Sequence, residues 1–125
     1  MIVDGPPGIG CPVISASAGA DLALLVVEPT LSGIHDLERA LATVTHFRVP
    51  PLVCINKADL SPGHTGAIEA YCEAEGFEVV GKVPYDTVVT RAMVQGQPVT
   101  AYQPDGKVSA ALGKMWARVR ARMEA

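Results

Sequence analysis

The chain has 125 residues, 49% of them hydrophobic and 18% charged, with a formal net charge of −3 and three cysteines. That apolar content excludes an intrinsically disordered chain, and the longest aliphatic run, Leu22 to Val27, is far shorter than the about 20 residues that cross a bilayer. The slight acidity argues against nucleic acid as a partner, and cysteines at 11, 54 and 72 without close pairing point to a reducing cytoplasm rather than a disulfide scaffold.

The chain opens Met1-Ile2-Val3-Asp4-Gly5, an apolar strand that has barely begun when the first loop arrives. It reads as a shortened start, and this first strand is expected to be a poorly covered sheet edge, open to pairing with another chain. The loop from Asp4 to Cys11 is rich in Gly and Pro, and Ile14 to Gly19 reads as a short helix of small residues. Leu22 to Val27 is a continuous apolar run, the pattern of a strand buried on both faces.

A helix follows, with Ser32 as expected N-cap and Ile34, Leu37, Leu41, Val44 and Phe47 on one apolar face. Pro50-Pro51 stops it, and Leu52 to Ile55 forms the next buried strand. A weaker helix is expected from Thr65 to Glu75, ended by Gly76, and a third strand from Phe77 to Val83. Asp86 or Thr87 caps a short helix that ends at Gly96. Val108, Leu112, Met115, Val119 and Met123 mark a C-terminal helix. Strands joined by helices of this length pair in parallel through right-handed crossovers. The expectation is a single α/β domain over 1–125, a three-layer sandwich whose site lies at the carboxyl ends of the strands.

Three strand ends carry candidate chemistry. Asp4, leaving a strand, is placed to hold magnesium through water, and Gly5, Gly8 and Gly10 let backbone N–H groups approach a phosphate. A tight turn capped by Asp4 is the plainer reading of the same residues. Asn56-Lys57-Ala58-Asp59 has the form N-K-x-D directly behind a strand. The Asn amide can pair with a purine edge and the Lys stem can lie over the ring, although a helix-capping loop would look alike. Val83-Pro84-Tyr85-Asp86 is either the main-chain edge of a base pocket or a Pro turn with an Asp cap.

In chain order, Asp4-Gly5-Pro6-Pro7-Gly8, Glu28-Pro29-Thr30, Ile55 to Asp59, Val83 to Asp86 and Gln95 to Val99 resemble the later half of a MinD/ParA/Mrp-type P-loop ATPase. Gly8-Ile9-Gly10-Cys11-Pro12-Val13 is similar to the branch that carries an inserted ferredoxin-like 4Fe-4S domain. The resemblance implies a P-loop NTPase-like, Rossmann-like fold that binds ATP and Mg2+ and works with iron–sulfur or redox proteins. It makes Asp4 the Walker B-type aspartate that orders magnesium through water, and Gly8 the switch glycine that senses the γ-phosphate. Asn56 becomes the adenine contact, flanked by Lys57 and Asp59, and Pro84, Tyr85 and Asp86 the adenine-pocket edge. It also implies a homodimer or a partner protein.

The departures are as informative. No Gly-Lys-Ser or Gly-Lys-Thr occurs, so the Walker A segment that cradles phosphates is missing from these residues. Clustered cluster-binding cysteines are missing too, so the parent family's 4Fe-4S cluster is not expected to be ligated here. The expectation is therefore adenine-nucleotide binding without hydrolysis by this chain alone. A GTPase-like guanine binder is one alternative, disfavoured because Pro7 stands where D-x-x-G spacing from Asp4 needs glycine. A non-catalytic partner-binding or dimerising module is the other. The basic last helix, with Lys114, Arg118, Arg120 and Arg122, reads as fold-closing rather than membrane-binding. His35 and His46 are expected on a polar helix face and His64 in a loop, none of them metal ligands.

Overall fold

In the computed structural model, which describes residues 2–4 and 19–124, strands and helices alternate. Their order is β1 (Ala23–Val27), α1 (Leu31–His46), β2 (Pro51–Asn56), α2 (Pro62–Glu75), β3 (Glu78–Val83), α3 (Val88–Val94), α4 (Val99–Tyr102) and α5 (Lys107–Met123). The three strands pair in parallel in the order β1-β2-β3. That pairing follows from the helical crossovers between them.

β2 lies between the other two strands, and Leu52, Val53, Cys54 and Ile55 are all buried. An unbroken apolar run is what a doubly covered strand requires. Val53 and Ile55 pack with Leu37 and Leu41 of α1 and with Ile68 and Cys72 of α2. On the opposite face Cys54 packs with Val83, Val88 and Val108, and Leu52 with Val80 and Val119. The result is three layers, with α1 and α2 on one side of the sheet and α5 on the other.

The register between β2 and β3 slips by one residue, with Val53 opposite Val79 but Cys54 opposite Gly81. The extra residue, Val80, packs beneath Val119 of α5, and Gly81 faces α5 as well. A Cβ built at Gly81 would lie 2.9 Å from Met115 Cβ. This bulge turns two successive residues toward one helix, which simple alternation cannot do.

Several expectations need correction. Ile2, Val3 and Asp4 lie in no strand and all three are exposed. Two apolar residues are too short a run to form a stable strand of their own. The outer strand is β1 instead, and its Leu24 and Val26 are 38% and 64% exposed. α1 is capped by Thr30 rather than Ser32, with the Thr30 hydroxyl accepting from Gly33 N at 2.9 Å. Phe47 falls beyond the last turn of α1, at its C-cap, and stays 39% exposed. α2 begins at Pro62, where a missing N–H costs nothing in a first helical turn, and this takes in His64. Gly76 does end α2, in the left-handed conformation with φ 78°. The loop glycines Gly5, Gly8 and Gly10, Cys11 and most of the small-residue helix at 14–19 lie outside the described residues.

Candidate functional site

The carboxyl ends of β2 and β3 are knitted together by the two segments singled out in the sequence. β2 ends at Asn56, whose Oδ1 accepts from the following amide, Lys57 N, at 3.0 Å. Lys57 then adopts φ 52°, the left-handed region that non-glycine residues seldom enter. This single residue turns the chain out of the sheet and toward β3. Ala58 N donates to Val83 O at 3.0 Å, while Ala58 O accepts from the buried Thr65 hydroxyl at 2.7 Å. Asp59 Oδ1 accepts from Tyr85 N at 2.7 Å.

The Val83-Pro84-Tyr85-Asp86 segment is held from its far side as well. Asp86 Oδ1 accepts from Val88 N at 3.0 Å and so caps α3, and its Oδ2 lies 3.8 Å from Lys107 Nζ. The capping reading of Asp86 thus describes its side chain, whose oxygens point to α3 and α5. Lys57 Nζ reaches across to β1 and pairs with Glu28 Oε1 at 3.1 Å. A shallow depression opens beside these loops, bordered by Ala58, Asp59, Thr65 and Pro84, with the Lys82–Glu69 ion pair at 3.4 Å on its rim. Another hollow, between Asp21, Pro50 and Arg122, lies at the opposite end of the sheet and shares no residue with it.

Of the residues expected to form the site, the structure brings Asn56, Lys57, Asp59, Pro84, Tyr85 and Asp86 to one end of the sheet. It gives Asp4 no strand end to occupy, and Gly5, Gly8 and Gly10 are not described. Two further residues belong to the constellation. Glu28 is the partner of Lys57, and its position directly after β1 is the signal that could have found it. Thr65 anchors the turn from α2, and no spacing in the sequence announced that bond.

The perturbed titrating groups lie elsewhere. Burial pushes the Cys54 thiol up to about 11. Burial also raises Cys72, with Glu69 adding to it, and raises Tyr71, with Glu38 and Glu75 adding to it. Cys54 and Cys72 face opposite sides of the sheet, so they cannot share a cluster. Among the described residues, no group of three or more His, Cys, Asp or Glu side chains is arranged to hold a metal ion. Nor, among them, is any helix long and apolar enough to cross a membrane.

No family model matches the chain. Curated relatives do. An uncharacterised protein of Methanocaldococcus jannaschii is 29% identical over 95% of this chain and 39% of its own length. An uncharacterised ATP-binding protein of the same organism is 30% identical over 95% of this chain and 45% of its own. An iron–sulfur cluster carrier protein of Pyrococcus furiosus is 30% identical over 82% of this chain and 39% of its own. Among solved structures, the cell division ATPase MinD of Pyrococcus furiosus superposes with a TM-score of 0.80 at 22% identity, covering 94% of this chain and 50% of that one. MinD of Pyrococcus horikoshii, complexed with Mg-ADP, gives 0.79 at 23% identity, covering 98% and 51%. At such identity the superpositions speak for the fold, and the sequence relatives for the kinship. The chain spans about two-fifths of the length of these curated relatives. Over the stretch that it spans, the chain resembles MinD/ParA/Mrp-type proteins in sequence, and it shares the fold of the MinD structures.

Proposed function

We propose that the carboxyl ends of β2 and β3 form the base-binding part of an adenine-nucleotide site. The observation that carries this reading is the joining of Asn56-Lys57-Ala58-Asp59 to Val83-Pro84-Tyr85 by the Ala58–Val83 and Asp59–Tyr85 hydrogen bonds. A side-chain amide, which both donates and accepts, then stands beside a main-chain edge whose Pro84 offers a carbonyl without an N–H. That is the complement of a purine edge carrying an amine next to a ring acceptor. Relatives named as an ATP-binding protein and as iron–sulfur cluster carriers support the nucleotide and tie it to iron–sulfur work. Cys54 and Cys72, on opposite sides of the sheet, cannot ligate one cluster together.

The phosphate end is a different matter. The adenine of ATP fits the base end of this arrangement, whereas Mg2+ belongs with the phosphates. Asp4, the proposed magnesium residue, is exposed and outside the sheet. The chain contains no Gly-Lys-Ser or Gly-Lys-Thr to neutralise the phosphates. Phosphoryl transfer rests on positioning and charge neutralisation, so binding without hydrolysis is the activity of this chain alone. The test is an ATP turnover assay on the purified 125 residues. Phosphate release at background supports the reading, and turnover that Asp4→Ala abolishes overturns it.

A second reading, a partner-binding or dimerising module, draws on one further observation. β1 is the outer strand of the described sheet, and Leu24 and Val26 are exposed on it. Capture of a partner, or self-association, that survives Asn56→Ala but not Val26→Lys would carry this reading.

A further inference from the structure

We propose that β1 pairs antiparallel with β1 of a second copy of this chain, about a twofold axis at Leu25. This rests on the second reading above, a dimerising module, and goes beyond it by fixing the partner and the register. The two outer strands of the described sheet differ. β3 carries the devices that keep an edge unpaired. It has a bulge at Val80 and the charged residues Glu78 and Lys82, which pair with Arg122 and Glu69. β1 has neither device. It reads Ala23-Leu24-Leu25-Val26-Val27, without a charge or a proline, and its register with β2 is unbroken.

The β1 backbone shows which groups are left over. Ala23 N donates to Pro50 O at 3.0 Å. Ala23, Leu25 and Val27 therefore turn their main-chain groups toward β2, and alternation turns those of Leu24 and Val26 outward. Among the described residues no strand lies on that side. Leu25 and Val27 pack into the core with residues of α1 and α2, which points Leu24 and Val26 to the α5 side of the sheet. There α5 covers Cys54 and Leu52 of β2 and Val80 of β3, and it leaves Leu24 and Val26 exposed. The same two residues thus present both the free main-chain groups and the free apolar side chains.

A second copy meets this edge with a matched one. A twofold axis perpendicular to the sheet keeps the helix layers of both copies on their own sides, and it makes the paired strands antiparallel. Directly opposite residues share a face, so the axis passes through a residue rather than between two. Centred at Leu25, it pairs all five residues of β1. Leu24 then lies opposite Val26 of the second copy, and each such pair exchanges both main-chain hydrogen bonds. Charge fits this register as well. Asp21 comes opposite Pro29 and Glu28 opposite Leu22, so no like charges meet. Parallel, in-register pairing would set Glu28 beside Glu28 and is not closed by the axis.

The test is sedimentation equilibrium of the 125-residue chain without nucleotide, with amide hydrogen exchange at Leu24 and Val26 read at high and at low concentration. The chain is expected to dimerise. Both amides should exchange at least about tenfold more slowly in the dimer, as amides drawn into a strand ladder do. Val26→Lys and Leu24→Lys should each weaken association by at least about tenfold, because the axis makes each substitution act twice. Lys82→Ala, on the β3 edge, should leave association unchanged. A dimer whose Leu24 and Val26 amides exchange as fast as in the monomer overturns the pairing while self-association stands. Loss of the dimer in Lys82→Ala overturns it too, by moving the interface to β3. A chain that is monomeric throughout overturns the second copy in either of two ways. Freely exchanging amides leave the edge to a different polypeptide, whereas protected amides give it to another segment of the same chain and end the module reading as well.

Discussion

Lys57 joins the ends of two strands at the cost of an unfavourable backbone: its Nζ lies 3.1 Å from Glu28 Oε1 while its φ is 52°. Both side chains are near half exposed, so the pair itself is worth under about 1 kcal/mol. The left-handed backbone costs about 1–2 kcal/mol for a residue with a Cβ. The strain is therefore not offset locally, and it sits at the turn that brings Asp59 to Tyr85.

These magnitudes separate two substitutions. Lys57→Ala loses the ion pair and keeps the strain, whereas Lys57→Gly loses the pair and relieves it. Lys57→Gly is expected to be the more stable by about 1 kcal/mol, read from urea unfolding midpoints. Equal midpoints would mean that the turn is not held in the left-handed region.

The bulge in β3 yields a second prediction. A methyl group at Gly81 would run into Met115 Cβ, close to the α5 backbone rather than at a flexible tip. Gly81→Ala is expected to lower stability by about 1–3 kcal/mol through overpacking. Gly66, inside α2, meets nothing within 4 Å, so Gly66→Ala should raise stability by about 0.5–1 kcal/mol. Thermal unfolding of the two variants side by side reads both effects.

The elements were legible where one physical rule acts alone. Leu52 to Ile55 is apolar throughout because β2 is covered on both faces, and Leu37, Leu41 and Val44 repeat at helical spacing because α1 buries one stripe. Pattern failed where tertiary partners decide. Ile2 and Val3 look like a strand but join none. Thr30 caps α1 in place of Ser32 because Pro29 is buried at the end of β1 and the helix starts at once. Val80 breaks alternation through a bulge that no local signal specifies. Within the site, position after a strand singled out Asn56 and Pro84, and the fold brings their segments together at the sheet end. The Asp59–Tyr85 and Thr65–Ala58 bonds could not be read, because each joins residues that only the fold brings together.

The buried thiols give a pH dependence with a definite sign. Burial raises Cys54 to about 11 and raises Cys72 in the same direction. An unfolded thiol titrates near about 8.5, so between that value and the folded one the unfolded chain holds fewer protons than the native chain. This contribution to stability is complete below the unfolded value and is lost as pH rises toward the folded one. Unfolding midpoints should therefore fall between neutral pH and about pH 10, and Cys54→Val should flatten that fall. A fall as steep in Cys54→Val as in the parent chain would exclude the thiol as its source.

The central claim is that the ends of β2 and β3 hold an adenine base, and calorimetric titration of the 125-residue chain and its Asn56→Ala variant with ADP tests it most directly. ADP should bind the parent chain, and Asn56→Ala should weaken it by about tenfold, as loss of a paired side-chain amide does. ADP affinity that is the same in both chains would contradict the account.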